Sequence, residues 1–219
     1  MATRQLLAEL CAAYEAATGQ PVRCEAVGGV DAAKRVQAGE AFDGVVLAAK
    51  AIDELTAAGR IVAGSRVDLV RSGIAVAVRA GAPAVDIGSE DAVKAAVTAA
   101  PSLAYSTGPS GVYLQQLFAR WGMADAVAAK VVQAPPGVPV GSLVADGRVA
   151  LGFQQLSELM HLPGITVLGP LPPAIQQLTV FAAGVASASD RPDAVRALLA
   201  WMAGPQAADA KRRQGMEPA

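Results

Sequence analysis

At 219 residues, with 53% hydrophobic and only 4% aromatic side chains, the chain can bury a substantial core of Ala, Val and Leu. That fits one large α/β domain or two of about 100 residues each. Eighteen basic against nineteen acidic side chains leave a formal charge of −1, and only Lys211, Arg212 and Arg213 cluster, which argues against nucleic acid as a partner.

The elements are expected as follows. Residues 3–18 read as a helix, with Leu6, Leu7, Leu10, Cys11 and Tyr14 at helical spacing, Thr3 as its N-cap and Gly19 as its stop. Residues 21–27 alternate like a strand, and Gly28-Gly29 breaks them ahead of a helix over 31–38. A buried strand is expected over 42–48, and a helix through Ile52, Leu55 and Ala58 stops at Gly59. This order of helix and strand implies a parallel sheet covered on both faces, with ligands outside the carboxyl ends of its strands. Those ends carry Gly28, Gly29 and Val30, and Ala48, Ala49 and Lys50. Gly28-Gly29 serves equally as a simple turn. Lys50 sits at a helix start, where the dipole disfavours a cation unless an anion is near.

A strand over 72–78 and a helix over 90–99 come next, and then the most informative stretch, residues 105–122. There an apolar run ends in Thr107-Gly108-Pro109-Ser110-Gly111, and a helix follows with Val112, Leu114, Leu117, Phe118 and Trp121 on one side. A strand that turns through Gly, Pro and Ser into a helix leaves the first helical N–H groups unpaired, and such an end attracts anions. Ser110 alternatively acts as a plain helix cap. A helix over 124–129, a short strand over 131–133 and a Pro- and Gly-rich loop over 133–141 lead to a second helix start, which Gly147 closes. The strand over 149–153 ends in Gln154-Gln155-Leu156-Ser157-Glu158, where two amides and a hydroxyl face a polar cleft or open another helix. A strand over 165–168, a turn over 170–173, a strand over 177–183 and helices over 191–202 and 205–214 complete the chain, with Lys211-Arg212-Arg213 on the exposed side of the last.

Cys11 and Cys24 read as two buried thiols in preference to a disulfide, and with a single His161, expected in an exposed loop, they make a metal site improbable. No cofactor is expected. No run of about 18 uncharged apolar residues occurs, so no membrane span is expected either. Met1-Ala2-Thr3-Arg4 leads into a helical pattern without a signal peptide, which reads as a cytoplasmic protein or a chain shown without its export sequence.

Several segments together resemble the periplasmic substrate-binding proteins of ABC transporters, type 2, in particular the molybdate-binding kind. They are Ala16-Ala17-Thr18-Gly19, the stretch 35–46, the stretch 53–59, Ser110-Gly111-Val112-Tyr113, the stretch 144–152 and Phe181-Ala182-Ala183-Gly184-Val185, in order along nearly the whole chain. The enzyme aconitate isomerase resembles the same group. The resemblance implies two doubly wound α/β lobes joined by two crossover strands, near 79–81 and 175–177, with a ligand cleft between lobes. Lobe 1 would be 1–80 plus 176–219, and lobe 2 would be 81–175. It further implies a monomer in the periplasm, a small anionic ligand and an ABC transporter permease as partner. Carried over, the ligand contacts fall on Ala2, Thr3, Gly29, Ser110, Gly111, Val140 and Gln155, beside Gln154 and Lys50.

The chain departs from the molybdate pattern at three points: no strand precedes the first helix, Gly29 replaces a ligand serine, and Gln155 replaces a tyrosine. A desolvated oxyanion needs those hydroxyl donors. A carboxylate held by backbone N–H groups, an Arg or Lys and the two glutamines is therefore expected over molybdate. Binding without turnover is the first reading, and an aconitate-type allylic isomerase is the alternative. For the latter, Tyr113, Lys50 and Glu158 are the acid–base candidates.

Overall fold

The computed structural model describes all 219 residues, 1–219. Helix α1 (Arg4–Thr18) buries Leu6, Leu7, Leu10, Cys11 and Tyr14, and Gly19 ends it in the left-handed region at φ 70°, its N–H donating to Glu15 O. Thr3 holds the N-cap position but makes no side-chain cap bond. Then come α2 (Gly29–Gln37), β1 (Gly44–Ala48), α3 (Ala49–Ala57), β2 (Val67–Ser72), β3 (Ile74–Arg79) and α4 (Glu90–Ala99). Helix α4 is capped by Ser89, whose hydroxyl accepts from Ala92 N at 3.1 Å. They are followed by β4 (Leu103–Ser106), α5 (Pro109–Arg120), α6 (Ala124–Ala128), β5 (Val131–Ala134), α7 (Val140–Ala145), β6 (Leu151–Gln155), α8 (Leu156–Leu159) and β7 (Ile165–Pro170). The chain finishes with β8 (Thr179–Val185), α9 (Pro192–Ala203), α10 (Ala208–Arg213) and β9 (Glu217–Pro218).

The chain divides into two compact units, Met1–Ser72 with Thr179–Ala219, and Gly73–Leu178. The first passage between them comes before β3 because that strand pairs with β6 and β7, inside the second unit.

In the first unit the sheet order is β1-β8-β2-β9, and every pairing is antiparallel. The parallel sheet expected from the helix–strand order is therefore corrected. Residues 21–27, expected as a strand, join no ladder, and β8 arrives from far along the chain to lie between β1 and β2. Both faces are covered as expected. Phe181, Ala183 and Val185 of β8 pack with α1, α9 and α10 on one side, and Ala182 packs with α2 and α3 residues on the other, the alternation a strand imposes.

Lys211 corrects another expectation: it is 1% exposed, with its ammonium drawn below the usual pKa by burial. An ammonium without an ion pair is costly to bury. The unfolded chain holds that proton more tightly, so the penalty is full below the folded pKa and fades as pH rises towards the ordinary value of 10.5. Lys211→Met is accordingly expected to raise stability at pH 7 by about 1 kcal/mol, with the gain shrinking in urea titrations at higher pH.

The second unit has a mixed sheet, β5-β4-β6-β3-β7, parallel from β5 through β6 and antiparallel beyond. One face is large: Ile74, Val76, Leu103, Tyr105, Leu151 and Phe153 join Leu114, Leu117 and Phe118 of α5. The other face is small, with Ala75, Ala77, Ala104 and Gly152. A Cβ at Gly152 would come within 2.5 Å of Val144 Cγ2, so this face lets α7 sit close to the sheet.

Candidate functional site

Parallel pairing brings the carboxyl ends of three strands into line in the second unit. Ser106 of β4 pairs in register with Ala134 of β5, and Tyr105 pairs with Phe153 of β6. Each strand then leads into a helix: β4 into α5 through Thr107-Gly108, β5 into α7 through residues 135–139, and β6 directly into α8. One edge of the sheet thus collects three helix starts.

At α5 the cap is Gly108, not Ser110, because Ser106 Oγ turns back to accept from Gly108 N at 3.2 Å. Pro109 has no N–H, and Val112 N donates to Gly108 O. The N–H groups of Ser110 and Gly111 are therefore the ones with no acceptor inside the helix. Ser110 is buried, its Oγ 3.3 Å from Ser106 Oγ. Twelve residues of aligned peptides stand behind this end, so it carries partial positive charge.

Gln154 and Gln155 are the last two residues of β6 rather than a loop after it, and each is 2% exposed. Gln154 Oε1 accepts from Val140 N at 2.8 Å, which joins the start of α7 to the end of β6. Its amide also acts on the carboxyl of Glu158, favouring the charged form. Replacing Gln154 with Leu leaves the Val140 N–H buried without an acceptor, and the expected cost is about 1–3 kcal/mol in urea denaturation.

Burial raises the Glu158 carboxyl to about 7, against the opposing effect of the Gln154 hydrogen bond. Beside it, Ser157 is 8% exposed and its Oγ has no hydrogen-bond partner. The donors at this edge are thus backbone N–H groups, amides and hydroxyls, next to one carboxyl that titrates near neutrality.

The other sequence candidates are placed as follows. The Tyr113 hydroxyl donates to Ile175 O at 2.8 Å, so its proton is committed to the backbone. Ala2 and Thr3 are buried at the start of α1, and Gly29 opens α2, both in the first unit. Lys50, in the first turn of α3, has a side chain 90% exposed and faces Glu54 at 3.8 Å. A depression of about 440 Å³ beside α2 and α3 is lined by Ala33, Ala38, Ala51 and Leu55 with Lys34, Gln37 and Glu54. Sequence reasoning missed Ser106. A small hydroxyl at a strand end is too common to stand out, and only its contacts with Gly108 N and Ser110 Oγ single it out.

Two α/β units, with helix starts gathered at the strand ends of the second, define the class of the solute-binding folds. The chain belongs to the family described as bacterial extracellular solute-binding protein, whose profile matches residues 1–217. It is 42% identical over 216 residues to an aconitate isomerase of Pseudomonas sp, covering 96% of this chain and 82% of that protein. Among solved structures, the periplasmic molybdate-binding protein of Azotobacter vinelandii aligns with a TM-score of 0.79 at 21% identity, over 98% of this chain and 94% of that one. The sulfate-binding protein of Mycobacterium tuberculosis aligns at 0.78 and 15% identity, over 98% and 83%. At these identities the two structures establish the fold alone.

Proposed function

We propose that the chain binds a small di- or tricarboxylate, its carboxylates received by the strand ends of the second unit. The observation that carries this reading is the donor set at that edge: the free N–H groups of Ser110 and Gly111 at the start of α5, flanked by the buried amides of Gln154 and Gln155. Planar carboxylates suit paired amide and backbone donors, and charge-assisted bonds of this kind are about twice as strong as neutral ones. The family supports action outside the cytoplasm and delivery to a membrane transporter.

A thermal-shift panel tests the ligand class, because a ligand that binds only the folded state raises its melting temperature. At a hundredfold excess over Kd the gain is about 2.7 kcal/mol, or roughly 5–10 °C for a chain of this size. Aconitate or citrate is expected to stabilise the protein more than molybdate or sulfate, and the reverse order overturns the proposal.

A second reading, isomerisation of an aconitate-like acid, is favoured by the 42% identical relative and by Glu158. The allylic shift removes a proton from a methylene carbon and returns one to the other end of the allyl system, so one group can act as base and then as acid. A carboxyl titrating at about 7 populates both forms at neutral pH. Proton NMR of cis-aconitate incubated with the protein separates the readings: appearance of the trans isomer supports turnover, and an unchanged spectrum supports binding alone.

A further inference from the structure

Away from the strand ends, residues 20–28 run beside α1 without joining either sheet. Gly19 reverses the chain at the end of the helix, and the returning segment is pinned twice. Val22 N donates to the Glu15 carboxylate, and Arg35 Nη1 of α2 donates to Glu25 Oε1 at 2.5 Å. Val22 also packs on the core cluster that contains Cys11. Between the two pins lies Cys24, exposed to solvent, with Cys11 buried beneath it.

The alignment follows from simple distances. Glu15 lies four residues beyond Cys11 on the same helix face, a rise of about 6 Å. Cys24 lies two residues beyond Val22, about 6.6 Å of extended chain. With Val22 held to Glu15, the returning chain therefore delivers Cys24 to the face of α1 that carries Cys11. The expectation of two buried thiols on a helix and a strand is corrected in both respects: Cys24 is exposed and lies on no strand.

We propose that Cys11 and Cys24 are a reversible dithiol–disulfide site that staples residues 20–28 to α1, oxidised by a small-molecule disulfide. The exposed Cys24 thiolate attacks one sulfur of that disulfide, forms a mixed disulfide and expels one small thiolate. Cys11, deprotonated as it reacts, attacks Cys24 Sγ and expels the second. The two cysteines lose two protons and two electrons, and the small disulfide is reduced to two thiols. Exposure makes Cys24 the attacking thiol, and the neighbouring Cys11 holds its pKa down to about 7, while Cys11, buried and pushed up, waits as the resolving one. An extracellular family meets the oxidising conditions in which such a bond persists.

The test is to incubate the full-length reduced protein with oxidised glutathione and follow intact mass, free thiols and melting temperature. The expected product is lighter by two hydrogens, has no titratable thiol, retains no glutathione and melts about 5–10 °C higher, reversibly with dithiothreitol. Cys11→Ser is expected to stop at one glutathione on Cys24. A wild-type chain that keeps glutathione, forms a covalent dimer, or still titrates two thiols after native oxidation overturns the proposal, and none of these results depends on the variant folding.

Discussion

Replacing Gly111 by alanine is expected to lower the melting temperature by about 6–12 °C, a loss of about 3 kcal/mol or more. The alanine Cβ would sit 1.7 Å from Ser106 O and 2.8 Å from Ser106 C, with Tyr105 Cδ2 at 3.1 Å. The closest atoms are backbone, and Ser106 has little freedom to give way. Its backbone is paired with Ala134 in the parallel ladder, and its Oγ holds the Gly108 N–H. The start of α5 must therefore move off the strand end, and the two free N–H groups move with it. Gly29 is the informative control. A Cβ there meets only Leu47 Cδ2, at 3.8 Å, so Gly29→Ala is expected to change stability by less than about 0.5 kcal/mol. Scanning calorimetry of the two variants beside the parent protein reads both effects.

Replacing Glu158 by glutamine is expected to have the second-largest effect, and its sign depends on pH. Burial raises this carboxyl from 4.5 to about 7, so between those values the folded chain holds a proton that the unfolded chain has released. Stability therefore falls as pH rises through that window, and the penalty is complete above the folded pKa. Glu158→Gln removes it, for an expected gain of about 1–2 kcal/mol at pH 8 after allowance for partial exposure, with no gain below pH 4.5. The same charge opposes an anionic ligand. Wild-type affinity is expected to weaken as pH rises through about 7, and the variant's to stay level. Under the isomerase reading the variant also loses about 10²–10⁴ of the turnover rate. Calorimetric titrations at pH 5.5 and 8.5, paired with urea melts, separate these contributions, and a pH-independent difference would leave Glu158 without this role.

Much of the second unit was legible because its signals are local. The apolar spacing from Leu114 to Trp121, the break at Gly108-Pro109 and the paired amides at 154–155 each act within a few residues, and they fall where α5 starts and β6 ends. What failed depended on distant partners. Residues 21–27 alternate as a strand does, but no neighbouring strand takes them up, and β8, about 150 residues further on, fills the sheet instead. Strand β2 was missed because Asp68 and Arg71 interrupt its apolar pattern, and the strand expected over 72–78 took only its last residue, Ser72, together with β3. Lys211 looked like a solvated charge beside Arg212 and Arg213, and its burial arises from tertiary packing that its own helix pattern does not encode. At the candidate site the glycines and glutamines were readable as types. The bond from Val140 N to Gln154, which ties two helix starts together, needs residues 14 apart to meet and has no sequence signature.

The central claim is that carboxylates are received by the N–H groups at the start of α5. Backbone-amide NMR during a titration with trans-aconitate addresses it most directly. Saturable shifts of the Ser110 and Gly111 amides are expected, accompanied by the side-chain amides of Gln154 and Gln155. Shifts confined to residues of the first unit, or shifts at Ser110 and Gly111 with molybdate but none with any polycarboxylate, would contradict it.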